Sequence, residues 1–263
     1  MSTTAMETQA PDTPREQKIE LPQRPRREPT FVAVDTEGLG DNMFEYPTVA
    51  VAFVAMDPHG NVLHKWQTYM PCEVTEKIIE PRCYKEFWNN PAKCKPEIYA
   101  DLQKKCKESP YQELDEAWKA VSDEIDRIYD MFPDNPVVWV SDCPDYDIGR
   151  IEAYLAYYTR RGRSLRYDKH GVRHPVEDCG SGRDVLKLLF PSKYQAYKES
   201  VKAIGAKHTH DCLDDALHIG TQYIKYMQLV EEIARQFLTV DEWSSMWVHE
   251  RGLQPPTQGS VSQ

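Results

Sequence analysis

The sequence predicts an α/β fold, a mixed β-sheet with helices on both faces, and three observations predict it. Apolar runs at 31–34, 48–56 and 62–70 follow one another with no helical pattern between them. A fourth apolar run, 137–140, stands between two helical patterns. A long helical pattern then closes the chain, from about 211 to 237. The order is strand, strand, strand, helix, strand, helix, strand or loop, helix. That order suits a mixed sheet covered by helices.

Each element has its own reason. Phe31-Val32-Ala33-Val34 is valine-rich and reads as a short buried strand. Asp57-Pro58-His59-Gly60-Asn61 is strong turn chemistry and joins the next two runs as a hairpin. The first three strands are therefore expected to be adjacent and antiparallel. Residues 71–108 carry Pro71, Pro81, Pro91 and Pro96 and are expected to be the least regular part, an insertion-like segment. Long ordered loops are often functional. Phe87-Trp88 lies there beside Arg82, Lys85, Lys93 and Lys95. The pair either stacks bases while the cations meet phosphate, or plugs a local core.

Ser109-Pro110-Tyr111-Gln112 offers an N-cap, a proline at N1 and a glutamine at N3. Leu114, Trp118, Val121, Ile125 and Ile128 then recur at helical spacing to about Phe132. Pro133-Asp134-Asn135-Pro136 breaks the helix, and Val137-Val138-Trp139-Val140 is the next buried strand. A helix follows through Ile151, Tyr154, Leu155 and Tyr158 into a basic stretch, Arg160, Arg161, Arg163 and Arg166. Gly171 and Pro175 mark a loop, and Ser181-Gly182-Arg183-Asp184 leads into Val185–Leu189, read as strand or loop.

Residues 1–29 are polar, Pro-rich and poor in large apolar side chains, and are expected to be a disordered tail. Arg24-Pro25-Arg26-Arg27 within it is a small basic cluster, a solvated tail or a weak nuclear signal. The folded domain is expected over 30–237, and 238–263 as a C-terminal extension that turns polar from about 252. The 263 residues are 40% hydrophobic and 28% charged, the composition of a soluble globular protein. No apolar run approaches the ~18 residues of a membrane span, and the N-terminus lacks the apolar region of a secretory signal. Seven scattered cysteines with no C-x-x-C pair suit reduced thiols inside the cell, in the cytoplasm or nucleus, and not a zinc site. A net charge of -10 does not suggest a protein that coats nucleic acid by bulk charge. It allows an enzyme that gathers acids at a metal site and bases in a local groove.

Acids gather at the ends of three elements. Asp35 and Glu37 end the first strand on one face, because side chains two apart in a strand point the same way. Two such carboxylates need a compensating cation, and a divalent metal with oxygen ligands is the natural candidate. Taken alone, the pair also reads as a strand running into a polar turn at Gly38 and Gly40. Asp142, Asp145 and Asp147 follow the 137–140 strand. Asp142 and Asp145 are helix N-cap candidates, whereas Asp147 lies inside the helix. The third group is His208-Thr209-His210-Asp211-Cys212-Leu213-Asp214-Asp215-Ala216. Asp211 and Asp214 suit a first helical turn. Five residues turn a helix through about 500°, so His210 belongs in the loop before the helix while Asp215 enters from the helix face. A histidine so placed can take a proton near neutral pH.

These motifs, in this order, resemble the DEDDh family of 3′-to-5′ exonucleases in the ribonuclease H-like superfamily, over roughly residues 30–236. The matching residues are Val34-Asp35-Thr36-Glu37, Ser141–Ile148 with Asp147 as the acid, and His210–Ala216. His208 is the weaker choice of histidine, because five residues beyond it stands Leu213, not an acid. The Phe87-Trp88 segment resembles the part of the phage and recombination-type members where an aromatic pair follows the third strand. Two departures stand: 71–108 is longer than in compact members, and the second cluster has three acids, so Asp142 or Asp145 could replace Asp147.

The resemblance implies a ribonuclease H-like sheet. It implies two Mg²⁺ or Mn²⁺ ions about 4 Å apart, held by Asp35, Glu37, Asp147 and Asp215. Asp35 is then the ligand shared by both ions, and His210 the general base on the attacking water. The substrate implied is the 3′ end of single-stranded nucleic acid, met by Gly38, Leu39, Phe87, Trp88 and the basic stretch at 160–166, with nucleoside monophosphates as products. The alternative is an inactive ribonuclease H-like binding or scaffold module, against which the complete set of four acids and a histidine counts. A ribonuclease H-like endonuclease is disfavoured by the His210 motif.

Overall fold

In the computed structural model, residues 28–159, 164–203 and 209–237 are described. The side chains of Ser181 and of the last three residues of the final helix lie outside that description. So do the expected N-terminal tail up to residue 27 with its Arg24–Arg27 cluster, Arg160, Arg161 and Arg163, His208, and the C-terminal extension from 238.

The strands are β1 (Thr30–Gly38), β2 (Thr48–Met56), β3 (Val62–Tyr69), β4 (Val137–Ser141) and β5 (Val176–Asp178). They form one sheet in the order β3-β2-β1-β4-β5. The β3, β2 and β1 strands are antiparallel neighbours, while β4 and β5 continue parallel to β1. Every residue of β1 and β2 is buried, which requires cover on both faces. The period of two divides β1 accordingly. Phe31 and Ala33 join one core with Val138, Val140, Ile219 and Tyr223. Val32 and Val34 join the other with Trp118, Ile125, Trp139 and Ile148. Helix α7 (Cys212–Phe237) covers the first face, and α3 (Leu114–Met131) with α4 (Pro144–Tyr158) covers the second. At Gly220 of α7 the helix comes so near the sheet that a Cβ would stand 2.7 Å from Met56 Sδ and 3.1 Å from Ala33 Cβ.

Four expectations are corrected. Residues 71–108 are largely helical: a 3₁₀ turn at Glu76–Ile78, a helical turn α1 (Pro81–Cys83) running into a π turn (Tyr84–Trp88), and α2 (Pro96–Lys107). Pro81 and Pro96 do not break these helices but start them, at positions whose N–H would be unpaired anyway. Second, α3 starts at Leu114, not at Pro110. Glu113 and Glu116 form a reciprocal capping box there, while Ser109 Oγ donates to Tyr69 O at 2.8 Å instead of capping. Third, the N-cap of α4 is Cys143, with no side-chain cap bond, so neither Asp142 nor Asp145 caps it. Fourth, Val185–Leu189 is neither strand nor loop but the end of α5 (Cys179–Leu189). That helix is capped by Asp178, whose side chain accepts from Gly180 N at 2.6 Å. A further helix, α6 (Pro191–Ala203), lies between it and α7.

Candidate metal and catalytic site

The acids meet at the carboxyl end of β1. Asp35 and Glu37 project from its α7 side, continuing the alternation of Phe31 and Ala33. Thr36 between them serves the opposite side. Its backbone N–H and hydroxyl both donate to Asp147 Oδ1, at 3.1 and 2.8 Å. Ser141, the last residue of β4, donates to Asp147 Oδ2 at 2.6 Å. Asp147, in the first turn of α4, is thus tied to both central parallel strands. Of the three acids in its cluster it alone is buried, with Asp142 and Asp145 exposed.

Asp215 has no exposed surface and lies in the first turn of α7. Its two oxygens accept the backbone N–H of Thr209 at 2.6 Å and of His210 at 2.7 Å. That grip holds His210 in the left-handed backbone region, φ 63°. Such a conformation is strained for a residue with a Cβ and persists where the surroundings enforce it. Asp211, just ahead of the helix, accepts from Leu213 N at 3.1 Å and from the Lys105 ammonium at 3.3 Å. Lys105 also reaches the Tyr69 hydroxyl at 3.0 Å, tying α2 and β3 to the histidine turn. A recess beside Glu37 and His210 is walled by Tyr69, Leu102 and Asp211.

The electrostatics of this cluster call for a cation. Burial, and then the neighbouring Glu37, Asp147 and Asp215 carboxylates, push the Asp35 carboxyl well above its ordinary range. Burial, and then Asp215, Asp147 and Asp211, do the same to Glu37. Burial pushes Asp147 up to about 6, although the bonds from Ser141 and Thr36 pull the other way. Asp35 Oδ2 is buried with no hydrogen-bond partner. Ligand-capable atoms of Glu37, His210 and Asp215 lie within 4.8 Å of one another. Carboxylate oxygens beside one histidine, like charges together and an orphaned oxygen fit a hard divalent ion such as Mg²⁺ or Mn²⁺.

Of the substrate-facing residues read from the sequence, Phe87 and Trp88 part company, while Gly38 and Leu39 are both buried. Trp88 is 2% exposed and lies in the core against Tyr99, ring centroids 5.7 Å apart. Phe87 is half-buried and faces His210, ring centroids 4.4 Å apart. Leu39 is fully buried, its N–H donating to Pro47 O and its carbonyl accepting from Glu80 N. It is not presented to a ligand. A Cβ on Gly38 would overlap the Tyr146 hydroxyl, so this glycine admits Tyr146.

Sequence reasoning passed over Tyr146 and Arg150. Arg150 is fully buried, stacked on the Tyr146 ring with its guanidinium carbon 4.1 Å from the centroid. It donates to the carbonyls of Gly40, Asp41 and Tyr46 and to the Thr48 hydroxyl. All four acceptors lie on the loop after β1 or at the start of β2. The available signal was an arginine three residues past Asp147 and four past Tyr146, on the helix face that those two share and away from Ile148, Ile151 and Leu155.

No family model and no curated protein matches the chain. Solved structures do. E. coli exonuclease I in complex with a dA16 oligonucleotide is similar at a TM-score of 0.50 and 12% identity, covering 78% of this chain and 43% of that one. The RNase domain of the yeast Pop2 protein gives 0.49 and 14%, covering 76% and 77%. A full-length 3′-exonuclease gives 0.47 and 11%, covering 76% and 61%. The chain thus spans less than half of exonuclease I and about three fifths of the 3′-exonuclease. The match to exonuclease I, with the mixed five-stranded sheet, shows the ribonuclease H-like α/β fold of these nucleases. Among the described residues no helix is long and apolar enough to cross a membrane.

Proposed function

We propose that the chain is a metal-dependent 3′-to-5′ exonuclease of the DEDDh type, acting on single-stranded nucleic acid, with residues 30–237 as its catalytic domain. The observation that carries the proposal is the convergence of Asp35, Glu37, Asp147 and Asp215 with His210 at the carboxyl end of β1. Asp35, Glu37, Asp147 and Asp215 would hold two Mg²⁺ or Mn²⁺ ions, which when bound supply an activated water and neutralise the leaving 3′ oxygen. The chain's own residues do the rest. His210 takes the proton of the attacking water at an imidazole nitrogen. Thr36 and Ser141 keep the Asp147 carboxylate in one orientation. Phe87, half-buried beside His210, borders the place of the terminal nucleotide, with Lys85, Lys93 and Lys95 exposed on the same segment to meet phosphates. Single-stranded nucleic acid as the partner is supported by the oligonucleotide complex of exonuclease I, a protein of this fold.

The test is incubation of the purified protein with Mn²⁺ or Mg²⁺ and 5′-labelled single-stranded RNA and DNA, beside 3′-blocked copies. Stepwise shortening from a free 3′ end, abolished by chelator and by Asp35→Ala, is the expected result. Equal cutting of 3′-blocked strands would replace the exonuclease with an endonuclease. Binding without cleavage would leave a nucleic-acid-binding module.

A further inference from the structure

We propose that Phe87 is a positioning residue for His210, its ring fixing the imidazole on the carboxylate side of the site. The inference rests on His210 acting as the base. Asp215 holds the backbone of His210, through the N–H bond at 2.7 Å, at the left-handed φ of 63°. The Phe87 ring meets the side chain, 4.4 Å from the imidazole between centroids and inclined at 77°. This edge-to-face arrangement is the favoured geometry for two flat rings and is lost when either rotates.

Phe87 is itself held for this task. It sits in the π turn closed by the bond from Asn89 N to Tyr84 O at 2.8 Å. Such turns carry one residue more than an α turn and recur at functional sites. The next residue, Trp88, is buried and anchors the turn, its ring perpendicular to that of Phe87 with centroids 4.9 Å apart. Two neighbours in sequence thus part company, one into the core and one onto the histidine. The segment 81–107 supports the same turn from a second point, where Lys105 of α2 bonds Asp211 at 3.3 Å. What reads as an insertion in the sequence is, on this geometry, the wall against which the base rests.

The experiment is a double-mutant cycle in the full chain, with Mg²⁺ and single-stranded DNA, joined to NMR of the His210 imidazole. Phe87→Ala should lower kcat roughly 10- to 100-fold with KM changed by about twofold or less, the penalty for a small misplacement of a reacting group. Phe87→Tyr, which keeps the ring, should restore kcat, and the loss should vanish in a His210→Ala background. The imidazole resonances should go from one sharp set to an averaged one. Phe87→Leu serves in place of alanine if that variant melts low. A raised KM with kcat kept would make Phe87 a base platform and overturn the proposal. The same loss in both backgrounds would overturn it too. If the wild-type chain degrades no 3′ end, the proposed function fails by itself, and the NMR arm decides: imidazole resonances unmoved by Phe87→Ala would refute the positioning role.

Discussion

Replacing Asp147 by asparagine should stabilise the metal-free protein, and the structure sets the size of the effect. Asparagine copies the protonated acid. Its carbonyl oxygen can accept from Thr36 N and Oγ1, as Oδ1 does, and its amide can donate to Ser141 Oγ, reversing one bond. Burial raises the Asp147 carboxyl from 3.8 to about 6, which corresponds to roughly 3 kcal/mol. The side chain is 3% exposed, so solvent screening does not reduce that figure. A raised acid means that the native state binds more protons than the unfolded chain between those two values, so stability falls as pH rises through the interval. Above it the full penalty stands, and below it the penalty is gone. Urea unfolding in chelator should therefore find Asp147→Asn more stable than wild type by about 3 kcal/mol near pH 8 and nearly equal to it near pH 4. Asp35 and Glu37 are raised too, so wild type and variant should both lose stability as pH climbs. A difference that does not change with pH, or a variant weaker at about pH 8, would refute the reasoning.

Three further outcomes follow from the same geometry. Adding Mg²⁺ or Mn²⁺ at neutral pH should raise the melting temperature of wild type and do little for Asp35→Ala, which lacks the orphaned oxygen; differential scanning fluorimetry with and without EDTA checks it. His210→Ala should cut kcat by ~10² to 10⁴ while metal binding measured by calorimetry stays close to wild type, and His208→Ala should leave both unchanged. Gly220→Val should destabilise the fold by about 1–3 kcal/mol in chemical denaturation, because the new side chain meets Met56 Sδ and Ala33 Cβ and must displace them in the core.

The acids were readable in the sequence because strand alternation and helix starts are local properties. Asp35 and Glu37 need only the period of two, and Asp215 needs only the opening of α7. The β2–β3 hairpin was readable from Asp57–Asn61, where the Asp57 carboxylate accepts from His59 N and Asn61 N. What failed was decided at long range. Pro91 and Pro96 suggested irregularity, yet α2 forms because Leu102 and Cys106 find the core beneath them. Ser109 looks like a cap until Tyr69 O takes its hydroxyl, forty residues away in sequence. Trp88 and Phe87 carry the same local signal, and only the packing of Tyr99 and the placement of His210 tell them apart.

Arg150 has a consequence for how this chain can vary. Three of its four acceptors are main-chain carbonyls, and the fourth is the Thr48 hydroxyl at the start of β2. The guanidinium therefore reads the path of the loop after β1 and is indifferent to most of the side chains along it. Met43, Phe44 and Glu45 can be exchanged while the path is kept, whereas Gly40, where a Cβ would strike Glu80 and Tyr46, cannot. The loop is a cassette: its surface can drift or be redesigned toward a new ligand while the acids behind it keep their places.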